Sequence, residues 1–173
     1  DSKTKSAIES YTPAIKLDIK WLCLLDKYSN FNRAQMEANG LWSEFQMQKA
    51  VAIDEALKYE KDTLFLDADI LVLDKIDNIE PDKELGVSPH YIRKSDTDKY
   101  GYYNGGVLWT NQKTLKEDWI KFTKTSRFFD QASIEDLERK YDSFEFGENY
   151  NFSWWRVFQS KQSPQEIIRK ISV

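Results

Sequence analysis

An α/β sandwich with a mainly parallel, mixed central sheet is the fold class this sequence predicts. Segments of helical period alternate with short, β-prone apolar runs, no Pro/Gly-rich linker divides the chain, and no internal repeat interrupts it. At 173 residues the chain has the size of one domain, able to remove roughly 70% of its unfolded surface from water.

Residues 6–16 read as a short helix interrupted by Pro13. Ile19–Leu25 reads as a strand ending at Asp26, with Cys23 as a plain core thiol among Trp21, Leu22, Leu24 and Leu25. The Asn/Ser-rich stretch 29–32 is a loop. From Trp42 to Tyr59 the apolar positions Met47, Ala50, Ile53 and Leu57 recur at helical spacing, with Gly40 and Ser43 near the start. Thr63–Leu73 has the apolar density of a buried central strand. Leu85–Ser88 and Gly106–Thr110 are further short strands. Lys113–Thr125 and Ser133–Tyr141 read as helices, Asn151–Phe158 is rich in aromatics, and Pro164 opens a final helix. In such a sheet the ligand belongs at the carboxyl ends of the strands.

Bulk properties narrow the partners. Net charge is −4 and lysines alternate with acids, so no basic stripe tracks a phosphate backbone and nucleic acid is not an expected partner. The single cysteine precludes an internal disulfide and fits a reducing compartment, which makes a cytoplasmic location the expectation. No apolar run is long enough to span a bilayer, so no membrane segment is expected. Aromatic residues make up 14% of the chain, and much of that belongs to a core. Flat amphipathic rings also suit sugar binding.

The chemistry concentrates in Thr63-Leu64-Phe65-Leu66-Asp67-Ala68-Asp69-Ile70-Leu71-Val72-Leu73. On a strand, Asp67 and Asp69 point to one face and Ala68 to the other. Two carboxylates there repel and lose hydration unless a cation or hydrogen-bond donors compensate. Their hard oxygens suit Mg²⁺ or Mn²⁺ better than zinc, leaving open positions for a diphosphate. The plain alternative is one solvated aspartate and one satisfied by backbone N–H groups. A second candidate is Asn104-Gly105-Gly106, where adjacent glycines permit positive φ or close approach of a ligand, and where a turn into an edge strand is the alternative. Asp130-Gln131 precedes an acidic helix, so Asp130 also fits a helix N-cap. Lys49, on the helix before the aspartate strand, is a surface lysine by default and otherwise a cation in reach of a phosphate. His90, the only histidine, excludes a His-rich zinc site and a metalloprotease. No Walker loop, Gly-x-Gly-x-x-Gly turn or Gly-x-Ser-x-Gly elbow is present.

Taken in order, these stretches resemble the GT-A-type nucleotide-sugar glycosyltransferases, closest to glycosyltransferase family 8, the glycogenin-like and lipopolysaccharide galactosyl- and glucosyltransferase group. The matching elements are Phe45-Gln46-Met47-Gln48-Lys49, Leu64 to Val72 around Asp67-Ala68-Asp69, Tyr103-Asn104-Gly105-Gly106-Val107-Leu108, and Phe129-Asp130-Gln131-Ala132. Glu148-Asn149-Tyr150-Asn151-Phe152 resembles the family's following Tyr-Asn segment. The family's late His-x-x-Gly-x-Lys-Pro-Trp segment, source of a third metal ligand, has no counterpart here, and Tyr11 is the candidate for the ring that stacks on the base. The expectation is one glycosyltransferase domain over residues 1–173, shortened at one or both ends.

The resemblance implies a metal-dependent enzyme that moves a hexose from a UDP-sugar donor to a glycan or other hydroxyl acceptor with retained anomeric configuration. It places Asp67 and Asp69 on Mn²⁺ or Mg²⁺ and Lys49, Ala68, Asn104, Gly105 and Gly106 on the donor. Asp130 and Gln131 fall at the reacting carbon; for an inverting reaction Asp130, Glu145 and Glu148 are the candidate bases. Trp154, Trp155 and Tyr150 are candidate stacking rings for a glycan, with a structural aromatic cluster as the plainer reading. One rival is a non-catalytic nucleotide-sugar-binding module. The other is a haloacid-dehalogenase-like phosphatase, whose Asp-x-Asp normally opens its domain and carries Thr or Val where Leu71 stands here.

Overall fold

The computed structural model describes residues 1–11, 18–159, 163, 165, 166 and 169. In chain order come α1 (Ser2–Tyr11), a 3₁₀ turn (Asp26–Tyr28), α2 (Arg33–Ala38), α3 (Trp42–Gln46), α4 (Gln48–Ala56), β1 (Thr63–Leu66), β2 (Leu85–Pro89), α5 (Lys94–Tyr100) and β3 (Tyr103–Thr110). They are followed by α6 (Leu115–Thr123), α7 (Phe129–Ala132), α8 (Ile134–Lys140), β4 (Ser143–Glu145) and α9 (Trp154–Gln159). No described helix is long and apolar enough to cross a membrane.

The fold is α/β, but its sheet corrects the mainly parallel expectation. The strand order is β1-β3-β2-β4; β1–β3 and β3–β2 are antiparallel, and only β2–β4 is parallel. Strand direction is set by how the connections run, which local apolar patterns do not encode. Nor is the aspartate-bearing strand central. Among the described residues β1 is an edge strand of four half-buried residues. The apolar run beyond it turns outward, with Leu71 at 78% exposure.

Helices cover one face of the sheet. Ala50, Ile53 and Leu57 from the helical stretch 48–57, Leu115 and Trp119 of α6, and Ile134 and Leu137 of α8 form one buried cluster with Leu85, Val87 and Leu108. Those helix positions follow the three- and four-residue spacing that puts side chains on one stripe. The alternate sheet face carries Val107, Trp109, Phe144 and Phe146. Gly86 of β2 faces Phe144 and Phe146; a Cβ there would stand 2.5 Å from Phe144 Cζ.

Several element boundaries differ from expectation. The expected helix 42–59 is broken at Met47 into α3 and α4. Residues 19–25 form no strand, and Ile19, Trp21 and Leu22 are 37–47% exposed. Cys23 is accordingly half-buried, not a core thiol. Helix α2 was missed although its capping box is written in the sequence: Asn32 Oδ1 accepts from Gln35 N and Gln35 Oε1 from Asn32 N. Residues 12–16 of the first expected helix, and Pro164 at the start of the last, lie outside the described residues.

Gly101 fixes how α7 meets the sheet. Its φ is +107°, and a Cβ would stand 2.9 Å from Ala132 Cα. Both the backbone region and the space exclude a side chain. Gly101→Ala is expected to destabilise the protein by about 2 kcal/mol, as read by urea unfolding.

Candidate functional site

The aspartates lie just past the end of β1. Asp67 N donates the last ladder bond to Gly106 O at 2.9 Å, and the chain then turns, with Ile70 N bonded to Asp67 O at 3.0 Å. Asp67 and Asp69 therefore sit on a turn, not at alternate positions of a strand. Asp67 is half-buried, while Ala68 and Asp69 are exposed. Asp69 makes no hydrogen bond or ion pair among the described residues.

Lys49, projecting from α4, gathers three of the sequence stretches. Its Nζ is 3.0 Å from Asp67 Oδ2, 3.4 Å from Gly105 O and 3.6 Å from Asp130 Oδ2. Asp130, on α7, is 5% exposed. Its other oxygen accepts from Gln46 Nε2 at 2.7 Å, and its carbonyl is held by Trp119 Nε1 and Ser133 Oγ. Burial pushes its carboxyl above the ordinary aspartate range, with the Lys49 charge opposing. Asp130 thus acts behind the site wall through Lys49, and Gln131 is the neighbour that reaches the cavity.

The glycine pair sits in a bulge. Val87 pairs with Leu108 and Pro89 with Tyr103, so β3 advances five residues while β2 advances two. Such bulges re-aim side chains. Neither glycine takes positive φ; close approach is what they permit. A Cβ at Gly105 would lie 3.6 Å from Lys49 Nζ, and one at Gly106 would lie 3.0 Å from Asn104 Oδ1 and 3.1 Å from Asn151 Oδ1. Gly106 N donates to Asn104 Oδ1 at 2.8 Å, pinning that amide at the cavity.

The cavity has a volume of about 590 Å³ and is bordered by Asp67, Asp69, His90, Asn104, Gln131 and Asn151, with Tyr100, Phe128, Phe152 and Trp155 as aromatic wall. A second cavity of about 440 Å³ adjoins it, sharing Asp69, Ile70, Asn151 and Phe152. Among the described residues the non-glycine positions with positive φ, Tyr91, Phe129 and Asn151, are all in or next to this wall. Strained backbone of that kind persists where surrounding structure holds it.

Of the candidate site residues, Asp67, Asp69, Asn104, Gly106 and Gln131 border the cavity; Lys49, Gly105 and Asp130 lie behind its wall, joined to it through the Lys49–Asp67 pair, and Ala68 sits between the two aspartates without lining it. Tyr11 closes α1, and its side chain lies outside the described residues, as does that of Trp154. Glu145 and Glu148 do not border the cavity; Glu145 accepts from the Tyr103 hydroxyl instead. Tyr150 packs on Phe146 and borders the second cavity.

Sequence reasoning missed Arg156, buried between the rings of Tyr91 and Phe152. It donates to the carbonyls of Pro89, His90, Glu148 and Tyr150 and so ties α9 to the cavity rim. No local signal marks it, because its partners lie up to 67 residues away. Gln46 was findable: it sits three residues before Lys49, on the same helical side.

Among the described residues no three or more His, Cys, Asp or Glu side chains gather as a ready metal cage. Mg²⁺-type sites need only one or two carboxylates plus water and phosphate oxygens. The free carboxylate of Asp69 beside Asp67 fits that donor set. No family model, curated protein or solved structure matches the chain. Function has to be read from the chemistry of this cavity.

Proposed function

We propose that the protein is a metal-dependent glycosyltransferase of GT-A type that transfers a hexose from a UDP-sugar to a hydroxyl acceptor. The observation that carries this reading is convergence. Lys49 joins Asp67, Gly105 and Asp130 directly behind a cavity that Asp67, Asp69, Asn104, Gly106 and Gln131 line, so stretches dispersed over 83 residues come together there.

The division of labour follows from charge. Asp67 and Asp69 would hold Mn²⁺ or Mg²⁺, which supplies Lewis-acid stabilisation of the departing diphosphate when bound. Lys49 adds a cation within reach of the same oxygens, held in place by Asp130. Asn104 and Gln131 offer amides to sugar hydroxyls, fixing the anomeric carbon relative to the acceptor. Trp155, 43% exposed at the cavity border, is the candidate ring for a glycan face. Of the three candidate bases for inversion, Glu145 and Glu148 lie away from the cavity and Asp130 is held by Gln46 and Lys49. Retention is the expected stereochemistry.

The test is to incubate the protein with UDP-glucose and UDP-galactose in Mn²⁺, with water and simple sugars as acceptors, and to follow the product by NMR. UDP release with a product of retained configuration is expected. An inverted product would remove the retaining mechanism, and binding without turnover would favour a non-catalytic nucleotide-sugar-binding module.

A further inference from the structure

We propose that His90 forms the hydrogen-bonding wall of a hexose lobe in the cavity, where its imidazole donates to and accepts from hydroxyls of an uncharged sugar. This rests on the UDP-sugar reading above and adds a residue and a ligand chemistry to it.

His90 is 5% exposed and borders the cavity. Neither Nδ1 nor Nε2 makes a hydrogen bond of full geometry among the described residues, and the Gln131 side chain is the polar neighbour of the ring. Buried polar groups are almost always paired, so a buried imidazole left short of partners at a cavity wall points to a ligand as the missing partner. The Gln131 side chain can serve at most one of the two nitrogens, because its Nε2 is committed to Tyr100 O at 2.9 Å and only its Oε1 remains for the ring.

The ring is also held in position by its backbone. His90 N donates to Tyr102 O at 2.8 Å, and His90 O accepts from Arg156 Nε at 3.0 Å. Pro89 precedes it and Tyr91, at φ 50°, follows. A group fixed on both sides is suited to recognition more than to movement.

Chemistry selects the sugar over the other parts of a donor. Burial holds the imidazole below the ordinary histidine pKa, so it is neutral at pH 7, with one nitrogen donating and one accepting. A neutral donor–acceptor matches a hydroxyl and contributes little to a diphosphate. Gln131, Asn104, Asn151 and Ser153 line the same cavity with the same dual character, and Tyr100, Phe128 and Phe152 supply flat apolar surface for the C–H faces of a ring. Asp67, Asp69 and Asp96 also border the cavity, which disfavours an anionic sugar.

Because His90 is the only histidine, its imidazole gives a single pair of ¹⁵N signals. The test titrates uniformly ¹⁵N-labelled protein with UDP, UDP-glucose or UDP-galactose, each with Mg²⁺, and follows those signals with the Gly105 and Gly106 amides. The glycine amides are expected to move with all three ligands, and the imidazole nitrogens with at least one sugar nucleotide but not with UDP. Glycine amides that respond while the imidazole stays fixed would overturn the role of His90 and leave the UDP-sugar reading standing. An imidazole that moves equally with UDP would place it at the nucleotide and overturn the sugar assignment. Glycine amides unmoved by UDP would remove the reading beneath both. His90→Leu is expected to weaken sugar-nucleotide binding about ten-fold, and His90→Gln to retain most of it. UDP affinity, unchanged in both, reports that the variants are folded; equal sugar-nucleotide affinity in wild type and His90→Leu would overturn the proposal.

Discussion

Asp69→Asn is expected to abolish metal-dependent binding of UDP while leaving the melting temperature unchanged. The two halves of that expectation come from one observation. Asp69 is exposed on the turn after β1 and has no partner among the described residues, so the fold loses nothing with its charge. Substitution of an exposed, uncoupled side chain changes stability by no more than about 0.5 kcal/mol. Outer residues that merely support a metal reduce its affinity roughly 10–100-fold when removed, so a direct ligand is expected to cost on the order of 100-fold or more. Titration of UDP into the variant with Mn²⁺ checks this. Wild-type affinity would remove Asp69 from the metal.

Lys49→Met is expected to destabilise the protein and impair function together, unlike Asp69→Asn. Lys49 is the cation facing both Asp67 and the buried Asp130. Without it Asp130 keeps Gln46 but loses its compensating charge. Breaking such a pair from one side is expected to cost about 2 kcal/mol at pH 7, at the low end for a buried pair because Lys49 is itself partly solvated. UDP affinity is expected to fall about ten-fold with the lost charge-assisted contact.

The loss in Lys49→Met depends on pH in a fixed direction. Asp130 titrates above its unfolded value in the native protein. Its contribution to stability is therefore complete below the unfolded pKa and is lost as pH rises through the folded one. Removing Lys49 raises the folded pKa further and deepens that loss. Wild type and Lys49→Met are expected to differ most near neutral pH and to converge in acid; adding Asp130→Asn to Lys49→Met restores stability at pH 7. Urea unfolding across pH checks all three statements, and a pH-independent difference would contradict them.

The parts of this site that were legible in the sequence are those carried by local residue type. Asp67 and Asp69 stood out because carboxylates interrupt an apolar run, and Gly105-Gly106 because paired glycines entering a β-prone segment call for close approach. The same apolar run misled on structure. By apolar density Thr63–Leu73 reads as one buried central strand, yet apolar density does not separate an edge strand from a central one, and pairing with β3 ends at Asp67. Ile19–Leu25 carried the same signal with no strand to join among the described residues. His90 and Arg156 illustrate the other limit. A lone histidine and a lone arginine acquire meaning only when chain segments about 66 residues apart come together, as they do at the Arg156–His90 bond.

The central claim is that Asp67 and Asp69 bind a nucleoside diphosphate through a divalent cation. Calorimetric titration of UDP in Mn²⁺, repeated in EDTA, tests it most directly. Saturable binding in Mn²⁺ that disappears in EDTA is the predicted result. Binding of equal strength in both, or in neither, would contradict the claim.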